Sequence, residues 1–293
     1  MAQLSLRGLG VALVTPFNKD KSIDFEALGR LLDHTISGGA DYLVVLGTTA
    51  ETPSLSEEER LSVRNFILGK AKGKISLILG YGSNNTAALC RDLEKDDYGD
   101  FDAILSVVPF YNKPSQEGIY HHFEAVATSS RLPVILYNVP GRTGVNMTAE
   151  TTLRIASDFK NVIGIKEASG NMTQIDDIIS HKPEGFELVS GDDGLTYPLL
   201  TMGAVGVISV IGNAFPREFG RLVRLCLDKD YDRAREIHYK FDELFRLMFV
   251  DGNPSGVKCL LHALGMMENE LRLPLVPTKI STDEKIRSIL ASL

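Results

Sequence analysis

Lys166 closes the run Val162-Ile163-Gly164-Ile165-Lys166, which puts a flexible amine at the lip of what its apolar neighbours mark as a buried strand. Loss of hydration there disfavours the ammonium, lowers the amine's pKa and frees its lone pair for attack on a carbonyl carbon. The chemistry on offer is a Schiff base. A plainer alternative is a lysine that snorkels its head into water from a strand end. Other reactive side chains also stand at or just past apolar runs. Thr48 and Thr49 follow Tyr42–Leu46, Tyr111 follows Ala103–Val108, Tyr137 ends Val134–Tyr137, and Arg142 lies between Gly141 and Gly144. Hydroxyls and phenols carry protons, and a guanidinium binds carboxylates.

The runs that would position these groups recur eight times: Val11–Val14, Tyr42–Leu46, Ile75–Leu79, Ala103–Val108, Val134–Tyr137, Val162–Ile165, Glu187–Val189 and Ala204–Val210. Between them lie amphipathic stretches of helical period, such as Asp24–Ser37 and Ser56–Lys72, the second opening on a capping-box pattern. Strands alternating with helices predict a parallel sheet, and near-continuous apolar strands predict that both of its faces are covered. Eight repeats, with no G-x-G-x-x-G in the first turn, fit a (β/α)8 TIM barrel better than a doubly wound sheet. After about residue 215 the pattern is helical only, over Arg217–Leu227, Tyr231–Val250, Ser255–Leu264 and about Asp283–Ser292. The expected organisation is a barrel over residues 1–228 with a C-terminal helical appendage, 229–293, packed on it. Chemistry in such barrels lies at the C-terminal ends of the strands, which is where the residues above fall.

Composition narrows the partners. The net charge of −7 over 293 residues, with no basic run, disfavours nucleic acid. No segment has the unbroken apolar length of a membrane span, and Met1–Arg7 lacks the features of a signal peptide, so the expected location is the cytoplasm. Cys90, Cys226 and Cys259 are far apart and form no C-x-x-C pair, so they read as reduced thiols. None of the six histidines follows a strand run, and no histidine-ligated metal is expected.

Each candidate also has a plainer reading. Tyr137 fits a core aromatic, Tyr111 a loop cap, Thr48-Thr49 a helix N-cap, and Asp192-Asp193 a cap of the next helix. Arg142, flanked by glycines, fits a carboxylate clamp better than a plain surface arginine. The aspartates after the seventh strand would repel a phosphate, so a carboxylic acid substrate is expected and pyridoxal phosphate is not. Lys258 lies in the helical tail, away from any strand end, and is expected to have a structural or solvent role.

Taken together, Gly47-Thr48-Thr49-Ala50-Glu51, Tyr137-Asn138-Val139-Pro140-Gly141-Arg142-Thr143-Gly144, Gly164-Ile165-Lys166-Glu167 and Ser190-Gly191-Asp192-Asp193 resemble the dihydrodipicolinate synthase family. The resemblance runs from Gly8 to about Leu264. It implies a class I aldolase on a (β/α)8 barrel that joins pyruvate to aspartate-4-semialdehyde on the route to lysine and diaminopimelate. No cofactor is implied beyond the covalent imine between Lys166 and pyruvate. Tyr137, across the mouth, would assist imine formation, and Thr48 would link it to Tyr111, which reaches into a neighbouring subunit. Thr49 would hold the pyruvate carboxylate, Arg142 that of the semialdehyde, and Gly191 and Ile208 would line the pocket. The implied assembly is a homotetramer, a dimer of dimers. A weak response to lysine is expected, because Ala88 and Phe110 replace a carboxylate and a phenol at the implied effector cleft.

Two rivals share features with this reading. Sugar-acid aldolases of the same superfamily keep the lysine and the strand-five tyrosine but generally lack the arginine matched by Arg142. A non-catalytic barrel that binds a metabolite would have no need of both a reactive amine and a proton relay.

Overall fold

The computed structural model describes residues 4–95 and 97–293. Eight parallel strands close into a barrel in sequence order: β1 (Gly8–Ala12), β2 (Tyr42–Val45), β3 (Ser76–Gly80), β4 (Ala103–Val107), β5 (Val134–Asn138), β6 (Val162–Glu167), β7 (Glu187–Ser190) and β8 (Gly206–Ser209). The intervening helices are α1 (Phe25–Ser37), α2 (Glu57–Ala71), α3 (Thr86–Lys95), α4 (Gln116–Ser129), the short α5 (Pro140–Thr143), α6 (Ala149–Asp158), α7 (Met172–His181) and α8 (Thr196–Met202). Then follow α9 (Pro216–Leu227), α10 (Tyr231–Leu247), α11 (Ser255–Ala263) and α12 (Ile280–Leu290). Among the described residues no helix is long and apolar enough to cross a membrane.

Local chemistry sets the helix starts. Asp24 caps α1 by accepting from the Ala27 amide at 2.9 Å. Ser56 and Glu59 form the reciprocal capping box on α2 that the sequence pattern predicts. The strands are apolar on both faces because each face is buried. One cluster fills the barrel, with Val44, Ile78, Leu105, Ile135, Val189 and Ile208 among its members. The other, larger cluster packs the strands' outer faces against the helices.

Every strand differs from expectation at one end or both, three of them by two residues or more. β1 begins at Gly8 rather than Val11. Its glycines read as strand breakers, yet Gly10 is required because a Cβ there would sit 2.1 Å from the Tyr42 ring inside the barrel. β6 runs through Lys166 to Glu167, so the lysine lies within the strand instead of just past it. β8 is shorter than Ala204–Val210 at both ends. The Ala204 amide is spent on Leu199 O of α8, and Val210 turns away to present its N–H to Asp193.

Of the structural and solvent roles open to Lys258, the structure shows the structural one, and near a strand end instead of away from all of them. Lys258 is fully buried and pairs with Glu51, in the turn after β2, at 2.5 Å. Its ammonium also donates to Glu270 O at 2.9 Å and lies 4.1 Å from the Phe17 ring centroid. It is therefore close to a strand end, and nothing of it meets solvent. Breaking one side of a buried pair strands the other charge, at about 3–5 kcal/mol. Lys258→Met should lose stability of that order in denaturant melts, and adding Glu51→Gln should recover part of the loss.

Candidate active site

Parallel pairing places Tyr137 of β5 directly beside Lys166 of β6, and Lys166 beside Val189 of β7. Paired residues on neighbouring strands share a face, and Tyr137 and Val189 belong to the barrel's interior cluster. Tyr137 is thus on the adjacent strand, not across the mouth. The Lys166 amine sits 4.5 Å from the Tyr137 ring centroid, in a residue only 6% exposed. Burial brings its pKa down to about 8, with the Arg142 guanidinium pushing the same way and the Asp193 carboxylate opposing. Room for the lysine stem comes from Gly191 after β7. A Cβ there would lie 3.0 Å from Lys166 Cε and 2.7 Å from Ala168 Cβ.

Alternation sends the next side chain, Glu167, out of the barrel. It is buried behind β5 and β6, accepting from Asn138 Nδ2 at 3.1 Å, Ser169 N at 2.7 Å and Gln174 Nε2 at 3.3 Å. Burial raises its pKa and these bonds lower it, leaving a net upward shift. The network ties together the two strands that carry Tyr137 and Lys166, a role for Glu167 that the sequence alone does not reveal.

The Gly47–Glu51 segment is not a helix N-cap. It forms a short 3-10 turn over Thr48–Ala50, with Glu51 left-handed at φ 55°. Thr15 Oγ1 fixes the turn by donating to Ala50 O at 2.8 Å. Thr48 is exposed at the mouth, with its hydroxyl near enough to the Tyr137 phenol to lower the phenol's pKa. The phenol's pKa is raised by burial, against the lowering effects of Arg142 and Thr48, so it holds its proton at neutral pH. Thr49 is buried and accepts from Asn253 Nδ2 at 3.1 Å.

Arg142 stands exposed on the helical turn α5, whose end is Gly144 at φ 74°. It forms no ion pair with a described side chain and lies close enough to influence both Lys166 and Tyr137. Ile208 is 1% exposed, within the interior cluster that holds Tyr137. Tyr111 is the exception. It is 87% exposed with φ 75°, its backbone N–H bonded to Thr143 O, so its phenol lies outside the cluster formed within one chain.

Asp193 was weighed as a helix cap and is something else. Its buried carboxylate accepts from the amides of Val210 at 3.0 Å and Ile211 at 2.7 Å, tying the β7 loop to the end of β8. Burial raises its pKa to about 6 despite those amides. Asp192 is not the cap either: its carboxylate accepts from Gly194 N at 2.9 Å and closes the turn ahead of α8, whose N-cap position is Leu195. Among the described residues no group of three or more histidine, cysteine, aspartate or glutamate side chains could hold a metal ion.

The cluster is therefore a buried amine of lowered pKa, a protonated phenol in register beside it, a threonine hydroxyl near the phenol and, at the entrance, a guanidinium with no ion pair among the described residues. Such a set can form imines with keto acids. Known proteins resemble the chain over its whole length. Residues 5–293 match the model of the dihydrodipicolinate synthetase family. A 4-hydroxy-tetrahydrodipicolinate synthase from Parabacteroides distasonis is 62% identical over 293 residues, 100% of this chain and 99% of that one. The crystal structure of dihydrodipicolinate synthase from Aquifex aeolicus superposes with a TM-score of 0.93 at 41% identity, covering 98% of this chain and 97% of its own. A chloride-inhibited dihydrodipicolinate synthase from Acinetobacter baumannii, crystallised in complex with pyruvate, gives 0.94 at 37% identity, with 98% of each chain covered.

Proposed function

The chain belongs to the dihydrodipicolinate synthetase family and condenses pyruvate with L-aspartate-4-semialdehyde in lysine biosynthesis, and we propose that it does so through an imine on Lys166. The observation that carries this is the buried Lys166 amine, with its pKa brought to about 8, lying 4.5 Å from the Tyr137 ring. The neutral amine attacks the pyruvate carbonyl carbon. Tyr137 passes a proton to the departing oxygen, which leaves as water, and the cationic imine remains. That cation acidifies the pyruvate methyl, and transfer of a methyl proton to the Tyr137 phenolate gives an enamine. The enamine carbon bonds to the aldehyde carbon of the second substrate, whose oxygen takes up a proton; the substrate's own amine then adds to the restored imine carbon, closing the ring and expelling the Lys166 amine.

Thr48 shares its hydrogen bond with Tyr137 and returns protons to it. Thr49 holds the pyruvate carboxylate, Arg142 receives the carboxylate of the semialdehyde, and Gly191 and Ile208 line the pocket. Tyr111, exposed on its own chain, completes the relay from a second copy, so this reading includes a dimer, and by extension a homotetramer of two dimers. It includes no cofactor beyond the imine, and a cytoplasmic location. It also includes a weak response to lysine, since neither Ala88 nor Phe110 offers a carboxylate or a phenol. Residues 1–228 supply the chemistry in this scheme and 229–293 the support.

Borohydride treatment in the presence of pyruvate tests the imine. A reduced pyruvate adduct mapping to the peptide that carries Lys166 is expected, and no mass increase would leave only a binding barrel. Assay with aspartate semialdehyde against a sialic acid then separates the synthase from the sugar-acid aldolases. Turnover with the semialdehyde alone is expected, consistent with the unpaired Arg142 guanidinium at the mouth.

A further inference from the structure

Two side chains of the C-terminal region reach back more than two hundred positions to the Gly47–Glu51 turn. Lys258 of α11 pairs with Glu51, and Asn253, just before α11, donates to Thr49 Oγ1. The Arg272 amide adds a bond to Glu51 Oε2 at 3.0 Å. The segment that carries Asn253 is ordered by its neighbours: Gly256 N donates to Gly252 O at 3.2 Å, Lys258 N to Pro254 O at 2.9 Å, and Ser255 Oγ to Val276 O at 2.7 Å. Both Asn253 and Thr49 are at most 5% exposed, so their bond does not exchange with bulk water.

The direction of this bond matters. A threonine hydroxyl has one proton to give and two lone pairs, whereas an amide nitrogen only donates. When Asn253 Nδ2 occupies a lone pair on Thr49, the threonine's proton is left to point elsewhere. We infer that Asn253 is a positioning residue: it polarises Thr49 so that its hydroxyl proton faces the pocket as a donor to the pyruvate carboxylate. This rests on the reading of Thr49 as the carboxylate ligand. The helical region thereby sets recognition of the first substrate from outside the barrel, without touching that substrate.

Asn253→Asp tests it with almost no change in shape. An ionised carboxylate only accepts, so Thr49 must turn its proton toward residue 253 and present lone pairs to the substrate. The readouts are the pyruvate concentration giving half-maximal borohydride adduct, and KM for pyruvate. Loss of a hydrogen bond to a charged group corresponds to about a 10- to 100-fold weakening. That is expected for Thr49→Val, for Asn253→Asp, and for the double variant with no further loss, because both changes act on one bond. Asn253→Ala, which removes the donor without adding charge, should give a smaller loss in the same direction. In each variant KM for the semialdehyde should be unchanged, and saturating pyruvate should still label one lysine per chain, which certifies a folded site. A merely structural role for Asn253 would lower the melting temperature and leave the pyruvate dependence alone. If Thr49→Val weakens pyruvate and neither Asn253 variant does, or if the double variant multiplies the two losses, the inference is overturned while the reading of Thr49 stands. If Thr49→Val leaves pyruvate binding unchanged, both are overturned.

Discussion

Lys166→Met should abolish the borohydride-trapped pyruvate adduct and bring turnover to the level of uncatalysed background, while the protein melts no earlier than the parent. Methionine matches the stem's volume and removes an amine that burial already penalises, so the fold loses little. Lys166→Arg is the sharper control, since it keeps a cation but has no accessible neutral form. The pH dependence follows from the same group. With the amine's pKa near 8 instead of the ordinary 10.5, about one lysine in ten is neutral at pH 7, against roughly one in three thousand for an unperturbed side chain. The initial rate of imine formation should therefore climb nearly tenfold per pH unit below about 8 and level off above it. A rate independent of pH between 6 and 8 would refute this origin of the nucleophile.

The charges around that amine bound the argument. Asp193 raises the lysine's pKa, and Arg142 lowers it. Burial itself is the largest influence, and it comes from the position of Lys166 inside β6, fifth in a strand of six buried residues that ends at Glu167. A lysine beyond the strand end would have titrated in water.

How much of this was legible in the sequence depended on the range of the interaction. The eight apolar runs, the helices between them and the capping box at Ser56 are written in neighbouring residues, and the barrel follows from their order. Lys166 was visible because a charged residue at the end of four apolar ones is a local contradiction. What it touches was less visible. The register that sets Tyr137 next to Lys166 depends on how two strands 25 residues or more apart align, which apolar pattern alone leaves free within a residue or two. The partners of Glu51 and Thr49 were not legible at all. Lys258 and Asn253 come from a helical tail more than two hundred positions away, and a lysine in a helix looks the same locally whether its head meets water or a buried carboxylate. Asp192 and Asp193 show the same limit, since adjacent aspartates read alike as caps although the first closes a turn and the second ties two strand ends together. Tyr111 is a different case, because its phenol has no role within one chain to be read.

Tyr137→Phe should lower kcat by about 10²–10⁴, the range associated with a single positioned acid–base group, with stability changed by no more than about 1 kcal/mol. Phenylalanine keeps the ring that packs in the barrel interior and faces the Lys166 amine at 4.5 Å. Only the hydroxyl is removed, and with it the proton that burial keeps on the oxygen at neutral pH. Pyruvate can still meet the amine, so an adduct should form and be trapped, but more slowly, because water must now leave the addition intermediate without an internal acid. The pyruvate concentration for half-maximal trapping at equilibrium should move little, since the phenol is assigned no bond to the carboxylate. Slow chemistry with near-normal binding is the signature that separates a proton carrier from a packing aromatic. A variant with full kcat would make Tyr137 a core residue that happens to abut the lysine, and the proton would then have to come from Thr48 or from solvent at the mouth.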